Sequence, residues 1–219
     1  MIPNEPKPHL PRRTQARRSP SARWASRSAA ILVLFASVAG AAPPPEAPRL
    51  MKSRDAERYE KDAPNSAIKA GGARISVRAP VERVVDVVTD YRHYGEFIKR
   101  FDKVKVVGRD GDKTDVYLQV PILKGAAKIW GVVRFEPPRG PAGDRVVKGR
   151  MLKGNVERLE ATWRVRKIDD KNTQLHLELL IVPKLPIPDS LVTDEAAYAS
   201  DVSVTGARDR AEQRAAKKK

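Results

Sequence analysis

Residues Ala79 to Phe101 read APVERVVDVVTDYRHYGEFIKRF, and the reading of this stretch decides the fold. Pro80 suits the first turn of a helix, where its missing N–H costs nothing, and Val81, Val84, Val85 and Val88 then recur at i, i+3, i+4 and i+7. Valine is a mediocre helix former, so this stripe needs an apolar surface to lie on, and the alternating segments that follow supply a sheet. Beyond Asp90 a second periodic run gathers Tyr91, Tyr94, Phe97, Ile98 and Phe101, loosened by Gly95. The expectation is two short consecutive helices with a kink near Asp90, set between a first strand and a long antiparallel meander.

Working outward, Ala73 to Arg78 alternates and reads as the first strand. After the helices come six more strands: 102–108, 114–120, 126–135, 145–152, 159–165 and 173–182. Arg109-Asp110-Gly111-Asp112 joins the first two of these as a hairpin turn. Parity assigns the inner face. Val116, Leu118 and Val120 point in, as do Ile129, Val133 and Phe135, then Leu159, Ala161, Trp163 and Val165, and finally Leu175, Leu177, Leu179 and Ile181. Prolines 183, 186 and 188 stop the sheet, and a last helix runs from Pro188 or Asp189 to about Gln213. The face expected to meet the sheet carries Leu191, Glu195, Tyr198, Val202 and Thr205, which is only half apolar.

The ends differ in composition from the middle. Residues 29–39, AAILVLFASVA, form an apolar run too short to span a bilayer, preceded by an arginine-rich segment and followed by Ala39-Gly40-Ala41. This is the pattern of a signal peptide over 1–41, cleaved near Ala41, and it predicts export to the periplasm or beyond. An uncleaved anchor is the second choice and a buried core helix the third. Residues 42–70 read as a proline-rich, charged linker with a short helix over Leu50 to Lys61, residues 71–213 as one domain, and 214–219 as a basic tail. The chain has 43 basic and 27 acidic residues, a net charge of +16, and no cysteine. Disulfides, thiolate metal sites and cysteine nucleophiles are therefore excluded. The lysines and arginines of the tail read first as a solvated helix end whose cations suit the macrodipole, and as a contact for an acidic or membrane surface second; they are not interleaved with aromatics, so nucleic acid is not an expected partner.

Strand, two short helices, six antiparallel strands and a long C-terminal helix make a helix-grip arrangement of the α+β class, a curved seven-stranded antiparallel sheet around the last helix. Ala79-Pro80 before the valine helix, the DYRHYGEF run, Gly149 ahead of the Gly154 turn, Trp163, Thr173 and the late prolines resemble the START-like superfamily. The likeness is to its branch of polyketide cyclase/dehydrase and coenzyme Q-binding proteins. That resemblance implies a cavity between sheet and C-terminal helix, often used for a lipid, quinone, sterol or polyketide. The residues assigned to line it are Tyr94, Phe97, Val116, Leu118, Ile129, Val133, Phe135, Trp163, Leu177, Leu179, Tyr198 and Val202, with Tyr94, Phe97 and Tyr198 at the mouth. Asp194, Glu195 and Asp201 interrupt the apolar character of the helix that faces it.

Chemistry is sparse. HExxH, GxSxG, P-loop and GxGxxG motifs are absent, and neither a metal nor a cofactor is implied. His93 and His176 fall on different elements whose parities do not bring them together. Three functions stay open: a non-catalytic binding module for a hydrophobic or amphipathic small molecule; a cyclase or dehydratase using Glu195, Tyr94 or Tyr198; and an interaction domain whose interior is filled by its own side chains.

Overall fold

The computed structural model describes residues 46–122 and 127–216. The signal-peptide expectation and the last lysines of the tail lie outside the described residues. Eight strands form one antiparallel sheet: β1 (Glu57–Lys61), β2 (Ala70–Val77), β3 (Lys103–Asp110), β4 (Lys113–Ile122), β5 (Ala127–Phe135), β6 (Asp144–Gly154), β7 (Arg158–Lys167) and β8 (Thr173–Val182). Their spatial order is β1-β2-β8-β7-β6-β5-β4-β3. The chain crosses from β2 to the far edge through α1 (Val81–Val88), a 3₁₀ turn over Tyr91–His93 and α2 (Tyr94–Phe97), the kinked pair that the valine and aromatic periods predict. The long helix α3 (Asp189–Ala216) then returns over β2 and β8 and touches α1.

The strand count is eight rather than seven. The segment read as a linker with a short helix over 50–61 instead supplies β1, which pairs with β2 from Glu57 opposite Arg74 to Lys61 opposite Ala70. Its reason is long-range. Tyr59 covers Gly72 so closely that a Cβ there would lie 2.5 Å from the ring, and the Tyr59 hydroxyl donates to Glu178 on β8 at 3.2 Å.

In α1 the buried valines are Val81, Val84, Val87 and Val88, with Val85 only partly covered. Pro80 stands at the N-cap in extended conformation, its carbonyl accepting from Arg83 and Val84. The second periodic run becomes an aromatic cluster. Tyr91 stacks on Phe135 at 4.5 Å between ring centres, Tyr94 lies edge-on to Tyr91 and Phe97, and Tyr94 stacks on Phe101. The buried Tyr94 hydroxyl donates to the Val88 carbonyl at the end of α1 and so fixes the kink. Thr173, opening β8, donates its hydroxyl to the Ala79 carbonyl at 2.7 Å and pins the other end of α1 to the sheet.

The seat of α3 is made of small residues. Its buried face is Val192, Thr193, Ala196, Ala197, Ser200, Ser203, Val204, Ala207 and Ala211, while Leu191 and Tyr198 are exposed. Of the expected face, Leu191 and Tyr198 point away from this seat and Glu195, Val202 and Thr205 are half-buried at its border, because the backbones come too close for large side chains. A Cβ added at Gly71 of β2 would lie 2.2 Å from the Ala197 nitrogen, and one at Gly206 2.0 Å from the Phe97 carbonyl oxygen. Ser200 completes the contact by donating to the Gly71 carbonyl at 3.0 Å.

Candidate functional site: an apolar cavity beside the C-terminal helix

The close seat of α3 on β2 and β8 leaves the inner face of β4, β5 and β7 partly uncovered, and a cavity of about 100 Å³ lies there. Its wall is built by parity. Leu118, Val120 and Ile122 come from β4, Ile129, Gly131, Val133 and Phe135 from β5, Leu159, Ala161 and Trp163 from β7, and Leu177, Leu179 and Ile181 from β8. Tyr94, Ile98 and Phe101 close it from the helical layer, and α3 contributes Ala199, Ser203 and one acidic residue. The Ser203 hydroxyl is committed to the Ala199 carbonyl at 2.7 Å.

Two charged residues, Arg100 and Glu195, complete the lining. Arg100 Nη2 bonds the Glu195 carboxylate, tying the loop after α2 to α3. Outside them, the Tyr198 ring lies between the guanidinium groups of Arg58 and Arg100, at 4.9 and 5.0 Å. A second opening of about 220 Å³ adjoins the first, sharing Ile122, Ile129, Ile181 and Glu195 and extending past Pro183, Leu185, Ile187 and Leu191. Together the two spaces reach the low end of small-molecule pockets, about 300 Å³.

A model of the polyketide cyclase/dehydrase and lipid transport family matches residues 77–194, more than half of the chain. The chain belongs to that family. This member's fold is also that of several solved START-like structures. Among them are a STAR-related lipid transfer protein from Xanthomonas axonopodis (13% identity, TM-score 0.63, 74% of this chain and 97% of that one) and a START superfamily protein from Mycobacterium smegmatis (19%, 0.56, 65% and 96%). The Zhui aromatase/cyclase of Streptomyces sp. R1128 is a third (22%, 0.51, 73% and 96%). At such identities the likeness establishes the fold alone. A comparison with curated proteins gives no match.

In this family member, eight of the twelve residues assigned to the cavity from sequence stand in its wall: Tyr94, Leu118, Ile129, Val133, Phe135, Trp163, Leu177 and Leu179. Val116 is buried in the core nearby, and Phe97 packs on Tyr94 outside the wall. Tyr198 and Val202 are off the wall because the small-residue face of α3 is the one turned inward. Nor does Tyr94 sit at a mouth. It is 2% exposed, and burial pushes its hydroxyl well above the usual tyrosine range. Arg100 went unread: a single arginine beside Lys99 in a polar break carries no local signal of facing inward.

A larger depression, about 690 Å³, is on the opposite face of the sheet, around His176. Arg74, His176 and Arg164 lie in one row across β2, β8 and β7. The segment before β1 closes over them: Glu46 accepts from Arg74 at 2.8 Å, and Arg166 donates to the Glu46 carbonyl. Burial, then the charges of Arg166, Arg74 and Arg164, push the His176 pKa down to about 4, so the ring is neutral. Arg74 is paired with Glu46 and Glu57, and Asp144 faces Arg164 and Arg166, so this trough has its counter-charges built in. His93 belongs instead to the helical layer, where it bonds Asp90. Among the described residues no group of three or more histidine and acidic side chains could hold a metal ion, and no helix is long and apolar enough to cross a membrane.

Proposed function

We propose that the protein is an exported, non-catalytic binding module that carries a hydrophobic or amphipathic small molecule in the cavity beside α3. The observation that carries this reading is the chemistry of the wall: aliphatic and aromatic side chains from four strands, with charge confined to one Arg–Glu pair. Such a wall gains from contact with an apolar ligand and offers few groups to transform one. A cyclase or dehydratase would draw on the same fold, and relatives of that name share it, but its candidate groups are poorly disposed here. The Tyr94 hydroxyl is occupied by Val88, Tyr198 is 40% exposed outside the wall, and Glu195 is held by Arg100. The family's lipid-transport name and the START-like neighbours agree with a carrier. Export rests on residues 1–41.

The test is native mass spectrometry of the purified protein and its organic extract, beside a thermal-shift panel of fatty acids, sterols, quinones and aromatic polyketides. A ligand at a hundred times its Kd should stabilise the fold by about 2.7 kcal/mol. Failure of every compound to raise Tm, with no co-purifying molecule, would leave the interaction-domain reading.

A further inference from the structure

One residue of the cavity lining, Arg100, carries an unfulfilled polar atom. Arg100 Nε is buried and has no hydrogen-bond partner among the described residues, although Arg100 Nη2 is bonded to Glu195. Buried donors without acceptors are rare, and a donor in the wall of a cavity points to what the cavity receives. The Nε–H and the nearer N–H of Nη2 lie side by side on one edge of the guanidinium, spaced to hold both oxygens of a carboxylate. Glu195 bonds Nη2 and leaves Nε without a partner.

We infer that the cavity receives a single-chain amphiphile with a carboxylate head, the head taking the Nε–Nη2 edge of Arg100 in place of Glu195 and the tail lying along the apolar wall. This rests on the binding reading proposed above and adds the class of ligand. Glu195 is suited to give way. Its side chain is 40% exposed against 18% for Arg100, so it can turn to water while the arginine stays fixed. Without a ligand it supplies the negative charge that a half-buried guanidinium requires; with one it leaves. Of the neighbouring cations Arg58 is paired with Asp201 and Lys128 with Asp102, so Arg100 is the group left to meet an anionic head, with Lys184 bordering the adjoining space. Size favours one chain: spaces of about 100 and 220 Å³ do not hold a two-tailed lipid.

The experiment compares decanoate with decan-1-ol, equal in tail and different in head, by isothermal titration against the full protein and its Arg100→Met and Glu195→Gln variants. The parent should bind decanoate at least about ten-fold more tightly than the alcohol, the low end for a hydrogen bond to a charged group. Arg100→Met should erase that preference, acid and alcohol then binding within about two-fold of each other, with thermal unfolding reporting that the variant is folded. Glu195→Gln removes the competing carboxylate and should strengthen decanoate relative to the alcohol. Equal binding of acid and alcohol by the parent, or an undiminished preference in Arg100→Met, overturns the carboxylate head and leaves the apolar cavity standing. If neither compound binds the parent, the cavity reading falls with it.

Discussion

Trp163 offers the sharpest test of the register that builds the cavity. It lies on β7 between Val147 of β6 and Leu177 of β8, is 2% exposed and lines the cavity. An indole buries on the order of 200 Å². At about 25 cal/mol per Å² this is roughly 5 kcal/mol of transfer free energy. Partial collapse around the truncated site recovers some of it, so Trp163→Ala should cost roughly 3–5 kcal/mol. The cavity already beside the ring keeps the expectation towards the upper end, because the neighbours on that side have no atoms with which to fill the gap. The next residue, Arg164, faces the other side, 39% exposed, with Asp144 at 3.4 Å. A pair of that kind is worth about 1 kcal/mol or less, so Arg164→Ala should barely move the transition. Urea and thermal unfolding of the two variants supply the comparison. Trp163→Ala should lower Tm by roughly 10 °C, at about 2–4 °C per kcal/mol for a chain of this size. Similar small shifts in both variants would refute the assignment of faces on β7, and with it the wall of the cavity.

Three further outcomes are expected. Gly71→Ala should be among the most damaging small substitutions, by about 3 kcal/mol or more, because the new methyl meets backbone atoms of α3 on more than one side and the helix must lift; unaltered urea unfolding would contradict that seat. His176 is neutral in the fold, with a pKa of about 4 against an ordinary value near 6.5, so the unfolded chain takes up its proton first and stability drains away as pH falls from about 6.5 to 4. The parent should therefore lose about 2 kcal/mol more than His176→Gln between pH 7 and pH 4.5, and parallel pH–stability curves would show that the ring is not desolvated. N-terminal sequencing of the protein from its native cell should find a chain beginning near Ala42, and a soluble cytoplasmic form starting at Met1 would end the export proposal.

What could be read from sequence follows from how local each signal is. The strands are antiparallel and buried on one side, so alternation alone places Ile129, Trp163 and Leu177 on the same face, and all three meet at the cavity. In α3 the rule that large apolar residues face inward fails. The gap above Gly71 admits only Ala, Ser and similar side chains, and those carry almost no hydropathic contrast with the opposite face. Strand β1 escaped for a different reason: ERYEK gains its place from Gly72 and Glu178, partners that nothing within five residues announces. The helix pair and its kink were legible because proline, valine period and aromatic period are all written within one short stretch.

Strand β1 also bears on how the borders of the sheet are protected. It covers β2, in which six of eight residues are buried, and it presents Glu57, Arg58, Glu60 and Lys61 to water in their place. The opposite border of the sheet is guarded by a bulge between Val106 and Gly108 and by exposed Lys103 and Lys105. Exposed flat strand edges recruit one another, and charge and bulges are what prevent it. A chain shortened to begin at Gly71 would retain every residue of the cavity wall, yet it would bare the β2 ladder to its neighbours. Self-association through that edge is the expected result, so residues that take no part in the pocket decide whether a chain carrying the pocket alone stays dispersed.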